Sequence, residues 1–139
     1  EHALEMVGVL KLINKPYTQI SGGERQLVTI ARAITQEPEF ILLDEPTSHL
    51  DFGNQMKAVR LIQKLTEQGF GILMTTHNPD QVFYSGGKAA LLDRSGELTF
   101  GESNTVLTRE RLSDLYGETV HVFYSDQMKR RVCLCGEAD

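Results

Sequence analysis

Two adjacent carboxylates, Asp44 and Glu45, are the residues of this sequence best suited to do chemistry. They follow an uninterrupted apolar run, Phe40 to Leu43, which predicts a β-strand buried on both faces. Pro46 ends that strand because it has no N–H for the ladder. One carboxylate at a strand end can help to hold Mg²⁺, while the other orients or deprotonates an attacking water molecule. Taken alone, such a pair is more often the solvated end of a strand, so its meaning depends on the motifs around it.

The first of these motifs lies upstream. An S-x-x-E pattern at Ser21 and Glu24 predicts a helix that begins here, because each side chain can bond the backbone N–H of the other residue. An apolar i, i+3, i+4, i+7 stripe carries the helix to about Gln36. Gly22 and Gly23 would let a phosphate approach the N–H groups of its first turn closely. By itself the pattern indicates only an ordinary capped helix.

The second motif lies downstream. Another short apolar run, Gly71 to Thr75, predicts a second strand, and His77 lies just beyond it. Asp51 can cap an intervening helix that runs to about Gln68, which is the crossover that two parallel strands require. His77 would then lie beside the two acids and could donate a hydrogen bond to a phosphate, although a single histidine at such a place is more often a surface residue.

The other predicted elements lie on either side of these motifs. They are a helix over Glu1 to Ile13, a short helix from Pro79 toward Tyr84, a strand over Lys88 to Leu92 with a hairpin partner at Leu98 to Phe100, short helices from Ser103 or Asn104 to Thr108 and from Glu110 to Tyr116, and a terminal hairpin of Val120 to Tyr124 with Arg131 to Cys135.

The order of the motifs resembles that of the ATP-binding-cassette (ABC) ATPases. The matching segments are Ser21 to Glu24 with the signature motif, Phe40 to Glu45 with the Walker B motif, Ser48 to Asp51 with the D-loop, and His77 with the switch histidine. The resemblance implies an α/β fold with a P-loop NTPase-like, mostly parallel sheet flanked by helices. The chain would contain the rear half of that fold and part of the helical subdomain. Residues 1–36 would be the helical subdomain and signature helix, and residues 37–139 the C-terminal part of the core.

The resemblance also implies roles at one ATP site. Asp44 would bind Mg²⁺, Glu45 would act as the general base, and His77 would contact the γ-phosphate and sense its loss.

A second set of roles involves a second ABC ATPase subunit. Ser21, Gly22 and Gly23 would bind the γ-phosphate of ATP held by that subunit, and Asp51 would link the two sites across the dimer. Glu24 stands where the family commonly has glutamine, and its carboxylate should point away from the phosphate because it would repel it.

One departure from the family concerns the P-loop, G-x-x-x-x-G-K-[ST], which cradles the phosphates. The 139 residues contain none, and the Ser85 to Lys88 segment, S-G-G-K, is predicted to be a turn that enters a strand. The chain begins inside a helical pattern, so we expect it to be the rear part of an ATPase domain. We expect the complete protein to be an ATPase and the chain alone to be inactive.

The C-terminal part of the sequence resembles that of importer ATPases for iron–siderophore, haem or cobalamin. The similar segments are L-L-D-R-S-G-E-L at Leu91 to Leu98 and the stretch from Val106 to Gly117. This resemblance implies a transmembrane permease partner, the import of a metal chelate, and a cytoplasmic location on the inner face of the plasma membrane through that permease. The alternatives are a non-transport ABC ATPase of DNA repair or translation, and a catalytically inactive binding or regulatory module.

Bulk composition narrows the classes further. A net charge of −5 argues against a nucleic-acid-binding surface as the main function. No apolar run has the length of a membrane-spanning helix, so we expect no direct insertion into the membrane. Cys133 and Cys135 are too few for the usual four-ligand zinc site, and we expect them to be reduced thiols.

Overall fold

The computed structural model describes residues 1–136 and divides the chain into two compact units, with the boundary after His77. In order, the first unit contains helix α1 (His2–Met6), 3₁₀ turns at Leu10–Leu12 and Tyr17–Gln19, helix α2 (Gly22–Ile34), strand β1 (Phe40–Leu43), helix α3 (Phe52–Glu67) and strand β2 (Gly71–Met74). The second contains α4 (Pro79–Ser85), β3 (Lys88–Leu92), β4 (Leu98–Glu102), α5 (Ser103–Val106), α6 (Arg109–Tyr116), β5 (Val120–Ser125) and β6 (Arg130–Cys135).

The first unit is built on the parallel pair of β1 and β2. Phe40 lies opposite Gly71 and Leu43 opposite Met74, and the Thr75 N–H extends the ladder by donating to the Leu43 carbonyl at 2.9 Å. Helix α3 is the crossover between the two strands, as the sequence predicts. Its buried side includes Val59, Ile62 and Leu65, which recur at every third position, and all three are almost fully shielded from solvent.

The prediction that β1 is buried on both faces is wrong for the residues described. Ile41 is 4% exposed and lies in a core cluster with residues of α2 and α3, including Leu65, whereas Phe40 and Leu42 are 72% and 75% exposed. Alternate side chains of a strand point to opposite faces, and this two-stranded sheet has helices packed against one face only. Phe40 instead lies over Gly71, where an added Cβ would clash with the aromatic ring.

The predicted helix over Glu1 to Ile13 is also shorter than expected. Helix α1 ends at Met6, and Gly8 then adopts the left-handed conformation with φ of +74°. That conformation suits glycine and reverses the helical path. Helical structure resumes only as the short 3₁₀ turn at Leu10–Leu12.

The second unit contains the two predicted hairpins, and both are confirmed. Strand β3 pairs antiparallel with β4, and β5 pairs antiparallel with β6. Gly86 and Gly87 have positive φ angles of 71° and 82°, which agrees with the predicted turn before β3. Leu112 and Val120 lie in the core of this unit. The α/β class is confirmed, and among the strands in residues 1–136 one pair is parallel and two pairs are antiparallel.

A bidentate ion pair connects α4 to β6. The Arg130 guanidinium donates to both carboxylate oxygens of Asp80, at 2.8 and 2.9 Å, and lies over the Tyr84 ring. The hydrogen bond to Asp80 raises the pKa of Arg130. Nearby, burial raises the pKa of the Cys133 thiol to about 11, so this thiol stays protonated at neutral pH. Within residues 1–136 there is no helix whose length and apolar character would let it cross a membrane.

A leucine pair tests this account of the first unit. Leu65→Ala removes a side chain that is 1% exposed, so we expect it to lower the free energy of unfolding of the chain by about 2–5 kcal/mol. Leu42→Ala removes the same atoms from a side chain that is largely in solvent, and we expect a change of at most about 0.5 kcal/mol. Urea denaturation measures both, and equal losses would contradict the assignment of the core to one face of β1.

Candidate active site at the ends of the parallel strands

The parallel register brings the ends of β1 and β2 side by side. Leu43 lies opposite Met74, so the next residue of each strand, Asp44 and Thr75, are neighbours. The Thr75 hydroxyl donates to Asp44 Oδ1 at 2.6 Å and accepts the Glu45 backbone N–H at 2.9 Å. A single hydroxyl therefore contacts both of the adjacent acidic residues, one through its side chain and the other through its backbone.

Glu45 has an unusual backbone conformation. Its φ is +41°, in the left-handed region, which costs a residue other than glycine roughly 1–2 kcal/mol. The Ser48 N–H and hydroxyl both donate to the Glu45 carbonyl at 3.1 Å, and the following Pro46 and Thr47 are buried. The chain therefore turns sharply directly after Asp44. Hydrogen bonds to both the N–H and the carbonyl of Glu45 stabilise that turn.

The turn directs the Glu45 side chain toward His77. Glu45 Oε1 lies 3.4 Å from His77 Nδ1, and both side chains are open to solvent. The structure thus brings together three of the predicted site residues, Asp44, Glu45 and His77, at one edge of the sheet. Sequence reasoning did not single out Thr75, although a polar residue directly after an apolar strand was the available signal.

Asp44 is suited to a Mg²⁺ ion that phosphates and water also bind, and not to a metal site made of protein ligands alone. In the part of the chain that the structure describes, no three His, Cys, Asp or Glu side chains are grouped to hold a metal ion. An all-protein metal cage is therefore absent from residues 1–136. Mg²⁺ at nucleotide sites is held by one or two carboxylates together with phosphates and water. Asp44, whose carboxylate is oriented by Thr75, can supply one ligand of that kind.

The predicted capping box at the start of α2 is confirmed. Ser21 Oγ accepts the Glu24 N–H at 3.3 Å, and Glu24 Oε2 accepts the Ser21 N–H at 3.0 Å. The Glu24 carboxylate is therefore bound to the backbone of the helix start, with Lys11 Nζ 4.0 Å away. The backbone hydrogen bond from Ser21 is the main cause that lowers the pKa of Glu24 below its ordinary value.

The predicted cap of α3 is confirmed as well. Asp51 Oδ1 accepts the Asn54 N–H at 2.9 Å, and Asp51 Oδ2 accepts from the Asn54 side-chain amide at 2.6 Å. These bonds, the backbone one first, lower the pKa of Asp51. A Cβ added to Gly23 would lie 3.4 Å from the Asn54 amide nitrogen and 3.5 Å from Leu50, so the first turn of α2 lies beside the start of α3. The predicted signature and D-loop segments are therefore adjacent in space.

Comparisons with known proteins find sequence relatives among ABC transporter ATP-binding proteins. The sequence profile described as "ABC transporter" matches residues 1–48. An ABC transporter ATP-binding protein of Haemophilus influenzae, described as uncharacterized, is 41% identical over 114 residues, which are 82% of this chain and 43% of that protein. The molybdate import ATP-binding protein MolC of the same organism is 42% identical over 115 residues, 82% of this chain and 45% of MolC.

A solved structure gives the same result for the fold. The inward-facing structure of a transporter described as of the metal-chelate type superposes with a TM-score of 0.89 at 34% identity, over 98% of this chain and 55% of that one. The chain belongs to the ABC transporter ATP-binding family. It spans about half the length of the relatives that it matches.

The capping box predicts how the free energy of unfolding depends on pH. Because the folded-state pKa of Glu24 is lowered, its stabilising effect is present above its ordinary pKa of 4.5 and is lost as the pH falls through the folded value. The free energy of unfolding should therefore be lower in Glu24→Gln than in the unmodified chain at pH 7, and the difference should shrink as the pH is lowered below about 4.5.

The matched comparison is Ser21→Ala, which removes the hydroxyl acceptor but keeps the Glu24 carboxylate and its bond from the Ser21 N–H, and should cost about 1 kcal/mol at pH 7. Denaturant titrations between pH 3 and 7 measure both variants. A deficit in Glu24→Gln that is the same at every pH would show that the carboxylate charge does not contribute.

Proposed function

We propose that this chain is part of the ATP-hydrolysing subunit of an ABC transporter. The observation that supports this proposal best is the cluster at the strand ends, where Asp44 and the Glu45 backbone share one Thr75 hydroxyl and the Glu45 carboxylate contacts His77. A metal ligand, a general base and a phosphate-binding side chain are the three groups that phosphoryl transfer to water requires at one place. The proposal also includes the division made from the sequence. In that division residues 1–36 are the helical subdomain with the signature helix, and residues 37–139 are the C-terminal part of the core.

In the proposed reaction, Glu45 is the general base. Its carboxylate accepts a proton from a water molecule whose oxygen forms a bond to the γ-phosphorus of ATP. The bond between that phosphorus and the β–γ bridging oxygen breaks, and ADP and phosphate are released. Asp44 would hold Mg²⁺, which would neutralise charge on the phosphates. The solvent-accessible Glu45 side chain suits this role because water must reach it.

His77 is proposed to bind the γ-phosphate. Its Nδ1 faces the Glu45 carboxylate at 3.4 Å, so the ring lies next to the proposed general base. A ring nitrogen can donate a hydrogen bond to a phosphate oxygen in the ATP state and lose that partner after hydrolysis. This change would let the residue report the presence of the γ-phosphate to the loop that follows β2.

The start of α2 is proposed to act on a different ATP molecule, held by a second ABC ATPase subunit. Ser21, Gly22 and Gly23 present the N-terminal end of a 13-residue helix, whose first N–H groups have no intrahelical acceptor. Asp51 would link the two sites, since the α3 start that it caps lies beside Gly23. The bond from Ser21 N–H to the Glu24 carboxylate keeps that negative charge on its own helix.

Import of a metal chelate is the transport role we propose. The supporting comparisons are the metal-chelate type transporter above and relatives that are named as hemin and iron(3+)-hydroxamate import ATP-binding proteins. Relatives named for molybdate and phosphate import widen the range of cargo to which the same cassette is suited. The partner would be a transmembrane permease, which would hold the subunit at the inner face of the plasma membrane.

A catalytically inactive module is the second candidate, and the absence of a P-loop from the 139 residues favours it. On either reading we propose that this chain alone neither binds ATP at micromolar concentrations nor hydrolyses it, because it offers ligands for Mg²⁺ and water but no cradle for the phosphates.

The test of the proposed function is Glu45→Gln in the longest natural form of the protein, including whatever sequence flanks this chain. Loss of the general base should reduce steady-state ATP hydrolysis by about 10²- to 10⁴-fold while ATP binding persists. Glu39→Gln, an exposed substitution of the same type at the other end of β1, is the matched control and should leave turnover unchanged.

His77→Ala in the same protein should lower turnover strongly with little change in melting temperature, because the side chain is exposed. Hydrolysis by Glu45→Gln within a few-fold of the control would contradict the proposed base. An unmodified natural protein that neither binds nor hydrolyses ATP would favour the inactive module.

A further inference from the structure

We propose that Thr75 is a positioning residue that sets the geometry of Asp44 and Glu45 together, through one hydroxyl group. This inference rests on the proposed function, because it assigns Thr75 a part in the same hydrolytic site. It predicts that a side chain with no assigned contact to ATP, Mg²⁺ or water controls the rate of hydrolysis.

The two hydrogen bonds of Thr75 have different targets and use different parts of the hydroxyl. The O–H donates to Asp44 Oδ1 at 2.6 Å, a short bond of the kind that ionised acceptors form. A lone pair of the same oxygen accepts the Glu45 N–H at 2.9 Å. A hydroxyl can donate one bond and accept others, so the two interactions are compatible. Valine has the same shape and can make neither bond.

The position of the Thr75 hydroxyl is itself fixed by the sheet. The Thr75 N–H donates to the Leu43 carbonyl at 2.9 Å, so its backbone continues the ladder of β1 and β2 by one residue. Threonine is also branched at Cβ, which restricts its χ1 angle. The hydroxyl is therefore held at a defined place beside the last residue of β1. Its two hydrogen bonds then restrict the positions of the two acids that follow that strand.

Each acid needs this support for a different reason. The Asp44 carboxylate is open to solvent, and the structure gives it a bond that selects one orientation of its plane. Glu45 adopts a left-handed backbone conformation, with φ of +41°, that a residue other than glycine adopts rarely. The bond from its N–H to Thr75 lies at the start of that turn and helps to determine where the Glu45 side chain points.

The test compares Thr75→Val, which removes the hydroxyl, with Thr75→Ser, which retains it, in the longest natural form of the protein. Misplacement of reacting groups by about 1 Å can cost up to about 100-fold in rate, so we expect Thr75→Val to lower kcat by roughly 10- to 100-fold. The KM for ATP should change much less, since Thr75 has no proposed contact with the nucleotide. Thr75→Ser should restore most of the rate.

Thr66→Val is the matched control, because the Thr66 hydroxyl donates only to the Gln63 carbonyl of its own helix, on the exposed side of α3. A second readout needs no nucleotide: residue-resolved hydrogen exchange at the Glu45 amide should become faster in Thr75→Val and stay unchanged in Thr75→Ser and Thr66→Val. If Thr75→Val lowers the melting temperature substantially, kcat and hydrogen exchange at the Glu45 amide are measured in Thr75→Ala instead.

The outcomes separate this inference from the proposed function. Turnover that survives Thr75→Val while Glu45→Gln abolishes it overturns the positioning role alone. Turnover that survives both substitutions overturns the proposed function, and the positioning role with it. Unchanged exchange at the Glu45 amide in Thr75→Val overturns the inference even where the natural protein shows no hydrolysis. A lower kcat that Thr75→Ser does not restore also overturns it, because the effect would then not come from the hydroxyl.

Discussion

The parallel register of β1 and β2 is the constraint on which the candidate site depends. Leu43 lies opposite Met74, so the polar residues that follow the two strands are neighbours although they are separated by about 30 positions in the chain. A slip of one residue would turn every side chain of one strand to the other face and would separate Asp44 from Thr75. The register is fixed by the crossover helix α3 and by the burial of Ile41 against the same core as Leu65.

What the sequence could predict depends on how local the cause is. The capping box at Ser21 and the cap at Asp51 were predictable because each donor lies three residues from its acceptor. The exposure of Phe40 and Leu42 was not, since burial depends on what covers a sheet face and not on the apolar run itself. The Thr75 bonds were also beyond reach, because both partners lie about 30 residues earlier in the chain.

The predicted site residues divide into two groups, which we propose act on two different ATP molecules. The cluster at the strand ends offers two carboxylates and a histidine, whereas the start of α2 offers helix N–H groups beside the α3 cap. Neither group contains a loop that encloses phosphates, and the chain spans about half of its relatives. The central proposal, that ATP is shared between subunits with Ser21 acting on the nucleotide of its partner, is supported by the exposed start of α2.

The measurement that tests this claim most directly is the ATP-dependent dimerisation of the full-length Glu45→Gln protein, followed by light scattering. We expect a dimer with ATP and Mg²⁺ and a monomer with ADP, because ADP lacks the γ-phosphate that Ser21 is proposed to bind on the partner's nucleotide. Adding Ser21→Arg should abolish the dimer, since a long side chain then occupies the helix start where that phosphate must bind. Ser95→Arg, in the exposed turn between β3 and β4, is the control for the added charge. Dimerisation that is unimpaired by Ser21→Arg would contradict the account.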